Sequence, residues 1–267
     1  MASLKDFEGK WALVTGASAG IGVALARELA KNGAKLILTA RRKDRLEALA
    51  AELTAQGTEV RIVLADLTQP DAPQAIFDAT AGLPVEILIN NAGLGQFGEF
   101  VSTDVAQEIS QVRVNCDAVV HLSRLFVPGM VERGRGWVLV LASTSSFQPV
   151  PFLSTYAATK AFDRSFALGL AEEVAPFGVK VTALCPGPTQ SEFFDIAGAE
   201  KFPGAKKMTS RKMQSAEDVA RLGLEALVRG KRTIVPYFGG WLSAVMVRFV
   251  PVGLITYLVA KVMRPAR

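Results

Sequence analysis

The sequence predicts an α/β protein, a three-layer doubly wound parallel sheet in a single domain. Three observations carry this. Short apolar runs alternate with segments of helical spacing from about residue 11 to residue 235 of the 267, the pattern of repeated βαβ units. The apolar runs are almost continuous, as expected of strands covered by helices on both faces. The first run ends in a glycine-rich turn, TGASAGIG, that opens a helical segment, the context in which backbone amides meet phosphates.

The elements follow in order. WALVTG (11–16) is a strand, and IGVALARELAKNG (21–33) has helical spacing and closes on Gly33. KLILTA (35–40) is β-like, and KDRLEALAAELTAQG (43–57) is an amphipathic helix with a terminal glycine. EVRIVLAD (59–66) leads to a helix through QAIFDATAG (74–82). VEILINNAG (85–93) is a strand ending on Asn90, and residues 103–130 form one long helical pattern. GWVLVLAS (136–143) is a strand ending on Ser143, followed by a helix over 155–176 and a strand in VKVTALCPG (179–187). Residues 215–230 are a helix opened by Ser215, with Asp218 three places on in a capping-box pattern. RTIVPY (232–237) closes the regular part. A sheet of this kind binds ligands beyond the carboxyl ends of its strands, where Gly16, Asn90, Ser143 and Pro186 stand.

Composition removes several classes of function. Two cysteines, Cys116 and Cys185, make no disulfide scaffold and suit a reduced, cytoplasmic setting. The single histidine, His121, lies in an apolar helical pattern and reads as structural, so no metal site is expected. The charged N-terminus does not read as a signal peptide. The net charge of +5 is uneven: after Glu225 there are seven cations (Arg229, Lys231, Arg232, Arg248, Lys261, Arg264 and Arg267) and no acid, so the remainder sums to −2. Basicity confined to a tail does not suggest a nucleic-acid face.

Residues 154–162, STYAATKAF, place Tyr156 and Lys160 one helical turn apart with only small residues between them. A phenol of pKa ~10 is a poor acid–base catalyst near neutrality, and a neighbouring ammonium is expected to pull that value down. Alone the pair means little, but other motifs surround it. TGASAGIG resembles the T-G-x-x-x-G-x-G turn of the classical short-chain dehydrogenase/reductase family. NNAG (90–93), Asn115 in RVNCDA, Ser143 thirteen residues before Tyr156, the Y-x-x-x-K pair itself and, loosely, PGPTQS (186–191) are similar to that family's other motifs in the same order. The resemblance runs from about residue 8 to 235 and implies a Rossmann-type fold and hydride transfer with a nicotinamide cofactor.

It further implies catalytic roles for Asn115, Ser143, Tyr156 and Lys160. Ser143 would orient the substrate oxygen, Tyr156 would exchange a proton with it, Lys160 would also hold the nicotinamide ribose, and Asn115 would anchor a proton-relaying water. The implied cofactor contacts are Gly16, Ser18, Gly20, Ile21 and Gly22 in the turn, Asp66 and Leu67 at the adenine, and Asn91, Ala92 and Gly93. Tyr156, Lys160, Pro186, Gly187 and Thr189 complete them. The second strand ends on Ala40 where NAD-binding chains tend to carry an acid. Arg41 and Arg42 follow, which suits the 2′-phosphate of NADP. The position before Gly20, often basic in NADP-preferring members of that family, is Ala19.

The expected activity is NADPH-dependent reduction of a lipophilic ketone or aldehyde. The alternatives are an NAD-dependent alcohol or sterol dehydrogenase and a dinucleotide-sensing binding protein. Phe193 and Phe194, with Phe97, Phe100 and Phe147, either line an apolar pocket or pack in the core. Residues 236–267 read as an apolar, basic extension of the same domain. Its pieces are broken by Pro236, Gly239, Gly240, Pro251 and Gly253, so none spans a bilayer. The extension is expected to be buried at a subunit contact of a homo-dimer or homo-tetramer, or over the pocket mouth. Attachment to a membrane surface is the less favoured alternative.

Overall fold

The structure, a computed structural model, describes residues 3–209 and 213–265. Seven parallel strands form one sheet: β1 (Trp11–Thr15), β2 (Lys35–Ala40), β3 (Val60–Leu64), β4 (Val85–Asn90), β5 (Gly136–Leu141), β6 (Val179–Leu184) and β7 (Thr233–Ile234). Their spatial order is β3-β2-β1-β4-β5-β6-β7. The order reverses between β1 and β4, so the chain crosses the sheet there and leaves a crevice beyond the strand ends.

The helices are α1 (Gly20–Lys31), α2 (Lys43–Ala55), α3 (Ala72–Ala79), α4 (Val105–Val112), α5 (Ala118–Glu132), α6 (Ser154–Val174), α7 (Phe193–Ile196), α8 (Pro203–Thr209), α9 (Ala216–Val228), α10 (Phe238–Met246) and α11 (Val252–Met263). Successive strand residues point to opposite faces, and each face has its own core. Ala12, Val14, Leu36, Leu38 and Leu139 pack with Leu25 and Leu29 of α1, Leu46 of α2 and Leu224 of α9. Leu13, Ile37, Leu88 and Val138 pack with Ile76 of α3, Phe126 of α5 and Ala167 of α6. Leu13 pairs with Ile37 on one side and Leu88 on the other. Burying such a side chain contributes ~1.5–3 kcal/mol, and a one-residue slip would send each to the wrong face. That is why the runs are continuously apolar and the register is fixed. The edge strand β3 is the exception: Ile62 and Leu64 are exposed.

Ser215 caps α9, accepting from the Asp218 amide at 3.1 Å, as its sequence pattern predicts. Two expectations change. The long helical pattern over 103–130 is broken by a π turn at Arg113–Asp117, which contains Asn115; such insertions concentrate at functional sites. The regular structure also continues beyond RTIVPY, because α10 and α11 follow β7. With Phe97, Leu153, Ala197, Phe202 and Ala205, Met263 of α11 forms a third apolar cluster that lies outside the two sheet cores.

Candidate active site

The glycine turn joins β1 to α1. Gly16 (φ +67°) and Gly20 (φ +53°) adopt the left-handed region that favours glycine. A Cβ on Gly16 would lie 2.8 Å from the Asn91 amide and 2.9 Å from Ala92, so the turn sits directly on the NNAG segment. Thr15 binds the two together: its hydroxyl accepts from the Asn91 and Ala92 amides at 2.9 and 3.0 Å and donates to the Ile89 carbonyl at 3.1 Å. Asn91 Nδ2 donates back to the Thr15 carbonyl at 2.8 Å. Ala19, the residue at the N-terminus of α1, offers no side-chain cap. The first amides of that helix therefore have no side-chain acceptor and face the crevice, as an anionic pyrophosphate requires.

A cavity of about 850 Å³ runs from this turn across the strand ends. Gly16, Ser18, Gly20, Ile21, Arg41, Arg42, Asp66, Leu67, Asn91, Ala92, Gly93, Ser143, Tyr156, Lys160, Pro186, Gly187 and Thr189 all border it. Two expected site residues do not. Gly22 is buried, and a Cβ there would strike the Gly16 carbonyl, so it shapes the turn without facing a ligand. Asn115 lies behind the cavity wall. Its carbonyl accepts from the Leu94 amide at 2.8 Å, and its amide donates to the Leu94 carbonyl at 2.9 Å and to Thr159 Oγ1 at 2.8 Å. It thereby clamps the segment after β4 to α6, a positioning role.

Ser143 stands two residues beyond the end of β5, not on the strand, and caps the short 3-10 turn Thr144–Phe147. Its hydroxyl accepts from the Ser145 amide at 3.1 Å and borders the cavity together with Tyr156, whose charged form it favours. Tyr156 and Lys160 share one face of α6, and the Lys160 ammonium lies 5.9 Å from the Tyr156 ring centre. That ammonium donates to the Leu141 carbonyl at 2.7 Å and to Asp163 at 2.9 Å. Both members of the ion pair are buried, with side-chain exposures of 4% and 1%.

Burial decides the electrostatics. The Tyr156 pKa is raised: burial penalises the phenolate more than Lys160 and Ser143 favour it, and Asp163 adds to the rise. The expected lowering by Lys160 is present but outweighed. Burial likewise opposes the Lys160 charge, yet Asp163 and Tyr156 overcome it and the ammonium is held above its ordinary value. Burial pushes Asp163 up to about 6, against the pull of Lys160. Burial pushes both thiols up, to about 12 at Cys116 and about 11 at Cys185, and both are unpaired. Among the described residues no group of His, Cys, Asp and Glu is placed to hold a metal.

The end of the cavity beside Tyr156 is aromatic. Phe193 packs on Tyr156 with ring centres 5.1 Å apart, and Phe97, Phe147 and Phe194 line the wall. Phe100 does not: it is 68% exposed and lies outside the cavity. At the opposite end Arg42 donates to Ser18 Oγ at 3.2 Å and pairs with Glu192 at 2.8 Å, while Arg45 takes the other Glu192 oxygen at 2.7 Å. Glu192 lies beyond the PGPTQS segment, so this bridge spans the crevice. Its carboxyl is held below the ordinary value by Arg42 first and Arg45 second. Arg41 forms no such pair within the described residues. Thr159, Asp163, Arg45 and Glu192 are site residues that motif reading passes over, and Thr15, which opens the TGASAGIG motif, shows its bonding to the NNAG segment only in the fold. Asp163 had a local signal, since it stands three residues after Lys160 on the same helix.

A family model described as short chain dehydrogenase matches residues 10–201. The very-long-chain 3-oxoacyl-CoA reductase of Anas platyrhynchos is 33% identical over 89% of this chain and 76% of its own length. The protein of that name from Bos taurus is 38% identical over 67% of this chain, and the match spans only 59% of its length. A solved structure, a short-chain dehydrogenase from Sphingobium yanoikuyae in complex with NADPH, superposes with a TM-score of 0.80. It is 30% identical and covers 97% of this chain and 98% of its own.

Proposed function

The chain belongs to the short-chain dehydrogenase/reductase family, and on that premise we propose that it is an NADP(H)-dependent reductase of lipophilic ketones or aldehydes. The observation that carries the reading is one cavity that holds the Ser143–Tyr156–Lys160 group between an uncapped helix N-terminus and an apolar, phenylalanine-lined wall. When bound, the nicotinamide dinucleotide supplies the hydride that reaches the carbonyl carbon. Ser143 holds the carbonyl oxygen by its hydroxyl. Tyr156 passes its proton to that oxygen as negative charge develops, and Lys160, kept charged by Asp163, stabilises the phenolate left behind. A raised Tyr156 pKa keeps the phenol protonated through the neutral range. That is the state able to give a proton to the oxygen of a carbonyl being reduced. The 3-oxoacyl chains named for its relatives are ketones of the class the wall would take.

The test is a panel of 3-oxoacyl thioesters, hydrophobic ketones and long-chain aldehydes, followed by NADPH and by NADH consumption. Turnover with several lipophilic carbonyls and a preference for NADPH are expected. Absence of turnover with every carbonyl, or a clear NADH preference, overturns the proposal. Arg41 carries the cofactor part. It follows β2 directly, borders the cavity and is not engaged by Glu192. Arg41→Asp is expected to weaken NADPH binding roughly tenfold to a hundredfold, the range of one charge-assisted phosphate contact, with far less effect on NADH. Fluorescence titration of both cofactors checks this, and equal losses would mean that Arg41 only starts α2.

A further inference from the structure

The helices α10 and α11 are apolar on two sides. On the inner side Gly240, Ala244 and Val247 border the cavity, as do Val259 and Met263. That places them over the cavity, one of the two locations their composition suggests. The outer sides are bare. Phe238, Trp241, Leu242 and Met246 of α10 recur at intervals of three, four and eight residues, which puts them on one stripe, and Phe249 follows in the turn after the helix. Leu254, Tyr257, Leu258 and Val262 make a second stripe on α11. All nine are exposed, Phe249 at 78% and Tyr257 at 64%. Contiguous apolar stripes on consecutive helices are not stable against water and mark a contact surface.

Charge identifies what covers them. Arg248 stands between the two helices, and Lys261 and Arg264 stand at the end of α11. All three are exposed, and no acid occurs after Glu225. A second copy seated on the same face would bring these cations against themselves, because a two-fold contact pairs a patch with its own image. An anionic surface complements them. Length excludes a crossing: helices of 9 and 12 residues are short of the ~20 needed. Among the described residues no helix is long and apolar enough to cross a membrane. Short apolar stripes with an exposed tryptophan and tyrosine and flanking cations belong in the plane of a lipid interface. Leu258 and Val262 belong both to the outer stripe and to the cavity lining, so the cavity mouth opens onto this face.

We propose that α10 and α11 dock the protein on the surface of a membrane rich in anionic lipid, with the cavity mouth turned to the bilayer. The docking stands whether or not the proposed carbonyl chemistry holds; a lipophilic substrate would then enter the cavity directly from the lipid phase. Trp241 provides the probe, since the other two tryptophans, Trp11 and Trp137, are buried. The full chain is mixed at physiological salt with vesicles of phosphatidylcholine alone or of phosphatidylcholine with about a third phosphatidylserine. Flotation of the protein with the anionic vesicles and a blue shift of tryptophan emission are expected, with binding at least fivefold weaker on the neutral ones. The double variant Trp241→Ser/Phe249→Ser and the charge variant Arg248→Glu/Lys261→Glu change exposed side chains outside the cavity. Each is expected to lose vesicle binding tenfold or more while melting like the parent and reducing a small water-soluble ketone unchanged. Failure of the parent to float with anionic vesicles overturns the proposal. So does equal binding to both lipids, and so does a parent dimer that Trp241→Ser/Phe249→Ser splits into monomers without any vesicle association.

Discussion

Replacing Tyr156 by phenylalanine is expected to lower turnover by ~10²–10⁴-fold, the usual effect of removing one positioned acid–base group, with fold and dinucleotide affinity retained. The substitution takes away a single oxygen. The ring keeps its packing on Phe193, 5.1 Å away between centres, and the Lys160 ammonium keeps both of its acceptors, the Leu141 carbonyl and Asp163. What disappears is the hydroxyl whose ionised form Lys160 and Ser143 favour and the proton it would deliver. Steady-state rates with the best carbonyl from the panel, beside NADPH titration and thermal melting, separate these effects. A variant that turns over within a few-fold of the parent would remove Tyr156 from the chemistry and leave the cavity with a binding role.

The second large effect concerns stability. Asp163→Ala is expected to cost on the order of 3–5 kcal/mol, because it strands a buried ammonium. The side chains of Lys160 and Asp163 are only 4% and 1% exposed, so water cannot replace the lost carboxylate. For a chain of this size that is roughly 10 °C in melting temperature. Lys160→Met/Asp163→Ala is expected to recover most of the loss, since the charge that lacked a partner goes too. Recovery of stability without recovery of turnover would show the pair acting in both. The sign of the pH dependence follows from the Asp163 value. It lies near 6 in the folded chain, above the ordinary 3.8. Between those values the folded chain holds a proton that the unfolded chain has released. Parent stability from this group therefore rises as pH falls through about 6, and the gap to Asp163→Ala widens toward pH 4. A gap that narrows on acidification would mean that the carboxyl is not raised.

Lys160 and Asp163 mark the boundary between local and tertiary information. The Tyr156–Lys160 spacing is readable because both residues sit on one helix, and a helix places i and i+4 together wherever it occurs. Asp163 shares that helix, but an acid at i+3 looks like any solvated charge until the assembled fold buries it. The direction of the Tyr156 shift depends on the same burial. Charge proximity can be read from spacing, whereas desolvation depends on what the rest of the chain packs around the ring. Phe97 and Phe100 make the same point within one loop: three residues apart, one is 7% exposed and the other 68%.

By itself the sequence determined the alternating elements, the parallel sheet and the glycine turn. Each of these follows from local periodicity and from residue types whose backbone limits act within a few positions. It also determined which side chains meet at the strand ends, because a doubly wound sheet delivers those ends to one crevice whatever the details of packing. Tertiary structure alone decided that Gly22 turns away from the cavity and that Asn115 serves as a clamp behind it. It also decided that Glu192 bridges to Arg45 across 147 positions of chain, and that α10 and α11 keep an uncovered outer face. These outcomes depend on contacts between segments far apart in the chain, where the free energy of burial and the placement of charge are properties of the assembled fold.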